Sequence, residues 1–152
     1  MANDTIMKWG SATTVISETA AIADGDFSTD TTQLDNSSTL YPYGLAVLRC
    51  QDTFAAAPDD NSTVDLYMVM DDVDGTVDES AAPSGTDPEA STLVGSFPIY
   101  NTDEDQVRAI NISLHGVRKA RFFILNNTGQ AISYSSNAIT VKITPFTYTL
   151  ST

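Results

Sequence analysis

The sequence predicts an all-β fold, a single-domain antiparallel β-sandwich or jelly roll with an extended N-terminal arm. Three observations lead there. Apolar and polar residues alternate with period two, most clearly from Ser62 to Asp71: Val64, Leu66, Met68 and Met70 face one way, Asp65, Tyr67, Val69 and Asp71 the other. Turn residues punctuate the apolar runs at short intervals, as at His115-Gly116, Asn126 to Gly129 and Ser135 to Asn137. Thr, Ser, Asn and Asp are abundant, while strong helix formers are few. A chain of 152 residues fits one domain and can bury a core without disulfides or metals.

Taken in order, residues 1–40 read as an arm and loops, with Met7, Trp9, Val15 and Ile16 as anchors. Ser17 to Ala23 is the only plausible helical turn, ended by Asp24-Gly25 and too short to be stable alone. Asp24 to Leu40 reads as loop, with Phe27 and Leu34 as contacts. Residues 41–152 form the sandwich. Its first strand is Leu45 to Phe54, opened by Tyr41 to Gly44; a turn at Ala55 to Asn61 leads into the run at Ser62 to Asp71. Asp72 to Ser91 is a long acidic loop of the kind that often carries function. Thr92 to Ile99 contains Gly95 and ends near Pro98, which suits an edge strand because proline cannot donate to a ladder. Val107 to Leu114 points Ile110, Ile112 and Leu114 inward. Arg118 to Leu125 and Ala138 to Tyr148 complete the sheets, with Pro145 breaking the last alternation before Phe146, Tyr148 and Leu150 resume it. The region from Val107 to Leu150 is the most strongly patterned and contains no acidic residue.

The net charge of −13 disfavours nucleic acid and anionic membranes as partners, since both require cations. It is also unevenly distributed. Residues 1–105 hold all 20 acids against Lys8 and Arg49, whereas residues 106–152 hold Arg108, Arg118, Lys119, Arg121 and Lys142. These cations either pair within one subunit or meet an acidic surface on the next. The single cysteine, Cys50, sits in an apolar run and reads as a buried thiol, consistent with folding in a cytoplasm. The N-terminus, Met-Ala-Asn-Asp, lacks the features of a secretory signal, and no run of about 20 apolar residues suggests a membrane span.

Candidate chemistry is sparse. Asp71 to Glu79 invites a calcium reading through Asp72, Asp74 and Asp78, but placing Gly75 at the sixth position of an EF-hand loop leaves Met70 and Ala81 at ligand positions. A solvated acidic loop is preferred. Ser113 and His115 could begin a catalytic triad, yet no Gly-x-Ser-x-Gly elbow accompanies them, so His115 reads as a polar residue at a strand end. With one His and one Cys the usual zinc sites are excluded. The sequence therefore points to no catalytic residue, no cofactor-binding residue and no metal ligand. Tyr41, Tyr43, Phe97, Tyr100, Phe146 and Tyr148 could line a sugar-binding surface, although such aromatics are more often core or interface.

Ser62 to Val69, the acidic loop after it, and Leu93 to Ile99 together resemble phrases of small virion proteins of tailed bacteriophages and prophages. So do Arg121 to Ala131 and Val141 to Phe146. The resemblance spans roughly residues 41–150. It implies a non-enzymatic capsid decoration or cement protein, without cofactors, made in the host cytoplasm. Such proteins typically form homotrimers of β-sandwiches on the outside of the shell, where they brace the major capsid protein. The alternative is a tail or baseplate module, or a carbohydrate-binding β-sandwich.

Overall fold

The computed structural model describes residues 5–29, 31–50, 54, 56–70, 91–102, 104–132 and 139–150, and these contain nine strands and no helix. The acidic loop with Asp72, Asp74 and Asp78 lies outside the described residues. The strands are β1 Thr5–Trp9, β2 Thr13–Glu18, β3 Leu34–Asp35, β4 Tyr43–Cys50, β5 Thr63–Met70, β6 Thr92–Pro98, β7 Gln106–Ser113, β8 Lys119–Asn127 and β9 Ile139–Leu150. They form two antiparallel sheets. The first runs β1-β9-β4-β7, with β2 also on β9; the second runs β3-β8-β5-β6. The pairing is nested: β2 with β9, β3 with β8, β4 with β7, β5 with β6.

Period-two alternation places the core between these sheets. Ala46, Leu48 and Cys50 of β4 and Val141 and Ile143 of β9 meet Val64, Leu66 and Met68 of β5 and Phe122 and Ile124 of β8 in one buried cluster. Each large side chain so buried contributes about 1.5–3 kcal/mol relative to exposure. Cys50 belongs to this cluster, and burial pushes its thiol up to about 12. The thiol is therefore protonated at neutral pH as well as shielded. A thiol reagent at pH 8 is expected to leave Cys50 unmodified in the native protein and to react fully in guanidinium. Rapid native labelling would contradict this placement.

The expected N-terminal arm divides into two parts. Thr5–Trp9 is extended and exposed at every residue, held on the last part of β9. From Thr13 onward the chain is woven into both sheets. β2 pairs with the first part of β9 and buries Val15 and Ile16. The segment from Ile22 to Asp35 runs antiparallel to β8 and the turn beyond it, bridging Ile22 to Ile132, Phe27 to Leu125 and Leu34 to Ala120. No helical turn forms at Ser17 to Ala23. Ser17 and Glu18 instead end β2, and the buried Glu18 carboxylate accepts from the backbone N–H groups of Thr19, Ala20 and Thr29 at 2.8–3.1 Å. Those bonds stabilise a local turn that competes with helix.

Three further details differ from the sequence reading. Val69 is buried, although on the outer face of β5, because Phe27 folds over it with Phe123 in a second small cluster. Met70, expected inward, is exposed at the strand end. Strand β9 continues through Pro145 rather than breaking there. The Pro145 carbonyl accepts from Gly10 N–H at 2.7 Å, between β1 and β2. A residue's N–H and C=O point to the same side of a strand, so the missing donor faces this gap in the neighbouring ladder. Pro98 lies in β6, which among the described residues pairs with β5 alone and so stands at the edge of its sheet. Within β6, a Cβ on Gly95 would sit 2.6 Å from Ile110 Cδ1, so glycine lets β6 close against β7.

Candidate functional site

The outer face of the first sheet combines exposed aromatics with an unusual charge. Directly opposed residues share a face, so the register places Trp9, Tyr43 and Phe146 in one row and Met7 beside Tyr148. Phe146 is only 5% exposed and forms the floor, whereas Trp9 and Tyr148 are 51% and 52% exposed and are presented to solvent. Trp9 lies 5.0 Å from Phe146, centroid to centroid, and Tyr148 lies 5.7 Å from it, edge-on. Tyr43 stacks on Phe146 at 5.5 Å and meets Tyr148 at 5.9 Å and His115 at 5.3 Å, both edge-on. Each such pair adds about 0.5–1.5 kcal/mol beyond its area, which orders the rings before any partner arrives. Met7 and Leu150 extend the apolar rim.

Strands β1, β4, β7 and β9 contain no Asp or Glu. The one acid of the sheet, Glu18, is buried at the end of β2. Further along the same outer face, Arg49 and Lys142 are both exposed and stand opposite Thr140 and Val47. A protein of net charge −13 thus carries one sheet face whose strands show solvent only aromatic, neutral and cationic groups.

Three other cations, Arg108, Arg118 and Lys119, are used differently. Arg108 donates Nε–H to Pro98 O at 2.8 Å and one Nη–H to Gln106 Oε1 at 2.7 Å, and its guanidinium lies 3.9 Å from the Tyr100 ring centre. Buried Gln106 in turn binds the backbone of Tyr100 and Thr102, so this group shapes the turn between β6 and β7. Arg118 and Lys119 lie near Asp35, whose carboxyl is held below its usual value first by hydrogen bonds from Ser37 and then by these cations. Arg108, Arg118 and Lys119 thus serve local structure, whereas Arg49 and Lys142 stand on the open face.

Of the six aromatics named from the sequence, Tyr43, Phe146 and Tyr148 come together. Phe97 is fully buried in the core, Tyr100 lies over Arg108, and Tyr41 packs beside Gly10. Trp9 joins the cluster because β1 pairs with β9, a contact that spacing along the chain does not reveal. Ser113 and His115 are both exposed; the contact between them is from the His115 backbone N–H to Ser113 Oγ at 3.5 Å, and the imidazole packs on Tyr43. Among the described residues no group of three or more His, Cys, Asp or Glu is placed to hold a metal ion.

These features define an antiparallel β-sandwich that presents a preformed aromatic face. No protein-family model and no curated protein matches the chain.

Proposed function

We propose that this chain is a non-enzymatic structural protein of a tailed-phage virion, a decoration or cement protein that docks on the outside of the capsid through the outer face of its first sheet. The observation that supports this most directly is the ordered cluster of Trp9, Tyr43, Phe146 and Tyr148 on an acid-free sheet face. Rigid aromatics ringed by neutral groups are the usual composition of interface hot spots. The cationic residues Arg49 and Lys142 suit an acidic partner surface, and the remaining acidity keeps the protein away from packaged DNA. The nested strand pairing is the connectivity by which eight-stranded jelly rolls are wound, a fold common in viral shells. In this reading the major capsid protein is the partner and the protein acts as a homotrimer, so many modest contacts add through multivalency.

The test uses capsids of the encoding virus prepared without this protein. Wild-type protein should cosediment with them and give a light-scattering mass three times that of the chain. Replacing Trp9 and Tyr148 together by Ser should weaken cosedimentation by roughly 30-fold or more, since one hot-spot aromatic is worth about 2 kcal/mol. A monomer without affinity for capsids, or a double variant that binds as well as wild type, would overturn the proposal.

A further inference from the structure

Beside the aromatic face, and sharing Trp9 with it, lies a cleft of about 470 Å³, within the ~300–1,000 Å³ of small-molecule sites. One wall is the connection from β1 to β2, with Gly10 and Ser11, continued by Thr13 at the start of β2. The opposite wall is the loop after β3, which supplies Ser38, Thr39 and Tyr41. This loop is held in place from within the protein. Buried Asn36 donates from Nδ2 to Tyr41 O at 2.9 Å and Val117 O at 3.0 Å, and its Oδ1 accepts from Tyr41 N–H at 3.0 Å. Leu40 N–H closes the turn onto Asn36 O at 2.9 Å. Tyr41 lies so close over Gly10 that a Cβ there would sit 2.9 Å from ring carbon Cε2. The cleft is therefore preformed, with Trp9 and Tyr41 as its aromatic side chains.

Its chemistry narrows the ligand. Among the described residues the one charged side chain lining it is Asp35, and no cation lines it to hold a phosphate or carboxylate. Ser37 donates from its N–H and its hydroxyl to Asp35 Oδ1, at 2.9 and 2.6 Å, which leaves Oδ2 for a ligand. One carboxylate falls far short of the six to eight oxygens that a calcium ion takes. Most of the remaining polar groups are hydroxyls, which can donate and accept alike. An uncharged ligand with many hydroxyls on one edge and C–H surface on the other satisfies both kinds of wall.

We propose that the Trp9–Tyr41 cleft binds a neutral oligosaccharide, its rings facing sugar C–H surfaces and Asp35 with Ser38 and Thr39 facing sugar hydroxyls. The cleft shares Trp9 with the proposed docking face, and Tyr148→Ser, which touches that face alone, tells the two apart. Trp9 is the only tryptophan, so its emission reports on the cleft directly. The experiment titrates the full chain with maltotriose, cellotriose and triacetylchitotriose at millimolar concentrations. A saturable change in Trp9 emission is expected for at least one of them. Tyr41→Ala and the near-isosteric Asp35→Asn should each weaken that binding about tenfold or more, whereas Tyr148→Ser, on the adjacent face, should leave it unchanged. Absence of saturable binding to all three sugars, by emission and by saturation-transfer NMR, would overturn the proposal. So would binding that neither Tyr41→Ala nor Asp35→Asn affects: the second variant guards against a fold defect in the first.

Discussion

Replacing Asn126 by Leu will destabilise the protein by on the order of 3–5 kcal/mol, the largest effect expected of any polar substitution among the described residues. Asn126 is fully buried in β8, and every polar atom of its side chain is used. Nδ2 donates to Ile22 O at 2.9 Å and to Gln130 O at 2.8 Å, while Oδ1 accepts from Thr128 N–H at 3.1 Å and lies 2.7 Å from the Thr128 hydroxyl. Its backbone is paired as well: Asn126 N–H donates to Asp26 O and Gly25 N–H to Asn126 O. The residue thus ties the segment from Ile22 to Asp26 to the turn after β8. Leucine approximates the volume but leaves buried partners without hydrogen bonds, each worth about 1–3 kcal/mol. Urea unfolding should show the midpoint falling with little change in slope, and the melting temperature should drop by roughly 10 °C. Asn127→Leu, one residue along and exposed, loses only the hydrogen bond that its Nδ2 donates to Asp65 Oδ2, should cost about 1 kcal/mol or less, and serves as the control. A loss below about 1 kcal/mol for Asn126→Leu would mean that water replaces the lost bonds and that the network is not closed.

Phe122→Ala should cost about 3–5 kcal/mol through lost transfer energy and the cavity left behind. Phe122 is fully buried in the main cluster between the sheets, where neighbours from both sides limit collapse. Its neighbour Phe123 points to the other face of β8, where among the described residues it belongs to a small cluster with Phe27, Val69, Tyr67 and Leu125. Phe123→Ala should therefore cost less, because Phe27 sits on an irregular segment that can settle into the vacated space. Chemical denaturation of the two variants decides the matter. A larger loss for Phe123→Ala would place the stabilising core on the wrong side of the second sheet.

Much of the fold was legible because a half-buried strand writes its two faces into alternate residues. Val64, Leu66 and Met68, then Ile139, Val141 and Ile143, name their own inward faces. Turn residues such as Gly116 and Gly129, both at positive φ, mark where strands stop. The N-terminal region was harder to read. β2 carries adjacent buried residues, Val15 and Ile16, across a register shift in its pairing with β9, which blurs the period. The segment from Ile22 to Asp35 pairs through short bridges rather than a continuous ladder, so it shows no alternation to detect. The two polar anchors of this region, Glu18 and Asn126, look in sequence like any surface carboxylate or amide.

The candidate site divides along the same line. Its ingredients were visible as residue types: Tyr43, Phe146 and Tyr148 as aromatics with access to a surface, and an acid-free C-terminal region. Their assembly was not. Alternation assigns a residue to a face, but it carries no information on which strand lies alongside or in what register. By itself the sequence determined the all-β class, most of the strands, the inward faces and the segregation of charge, because these follow from local periodicity and composition. Only the tertiary structure decided that β1 lies on the end of β9, which sets Trp9 beside Phe146, and that β4 flanks β9 from the other side, which brings Tyr43 to the same rings. Those contacts join distant parts of the chain, and they exist because closing both ladders of β9 satisfies backbone groups that no local turn could pair.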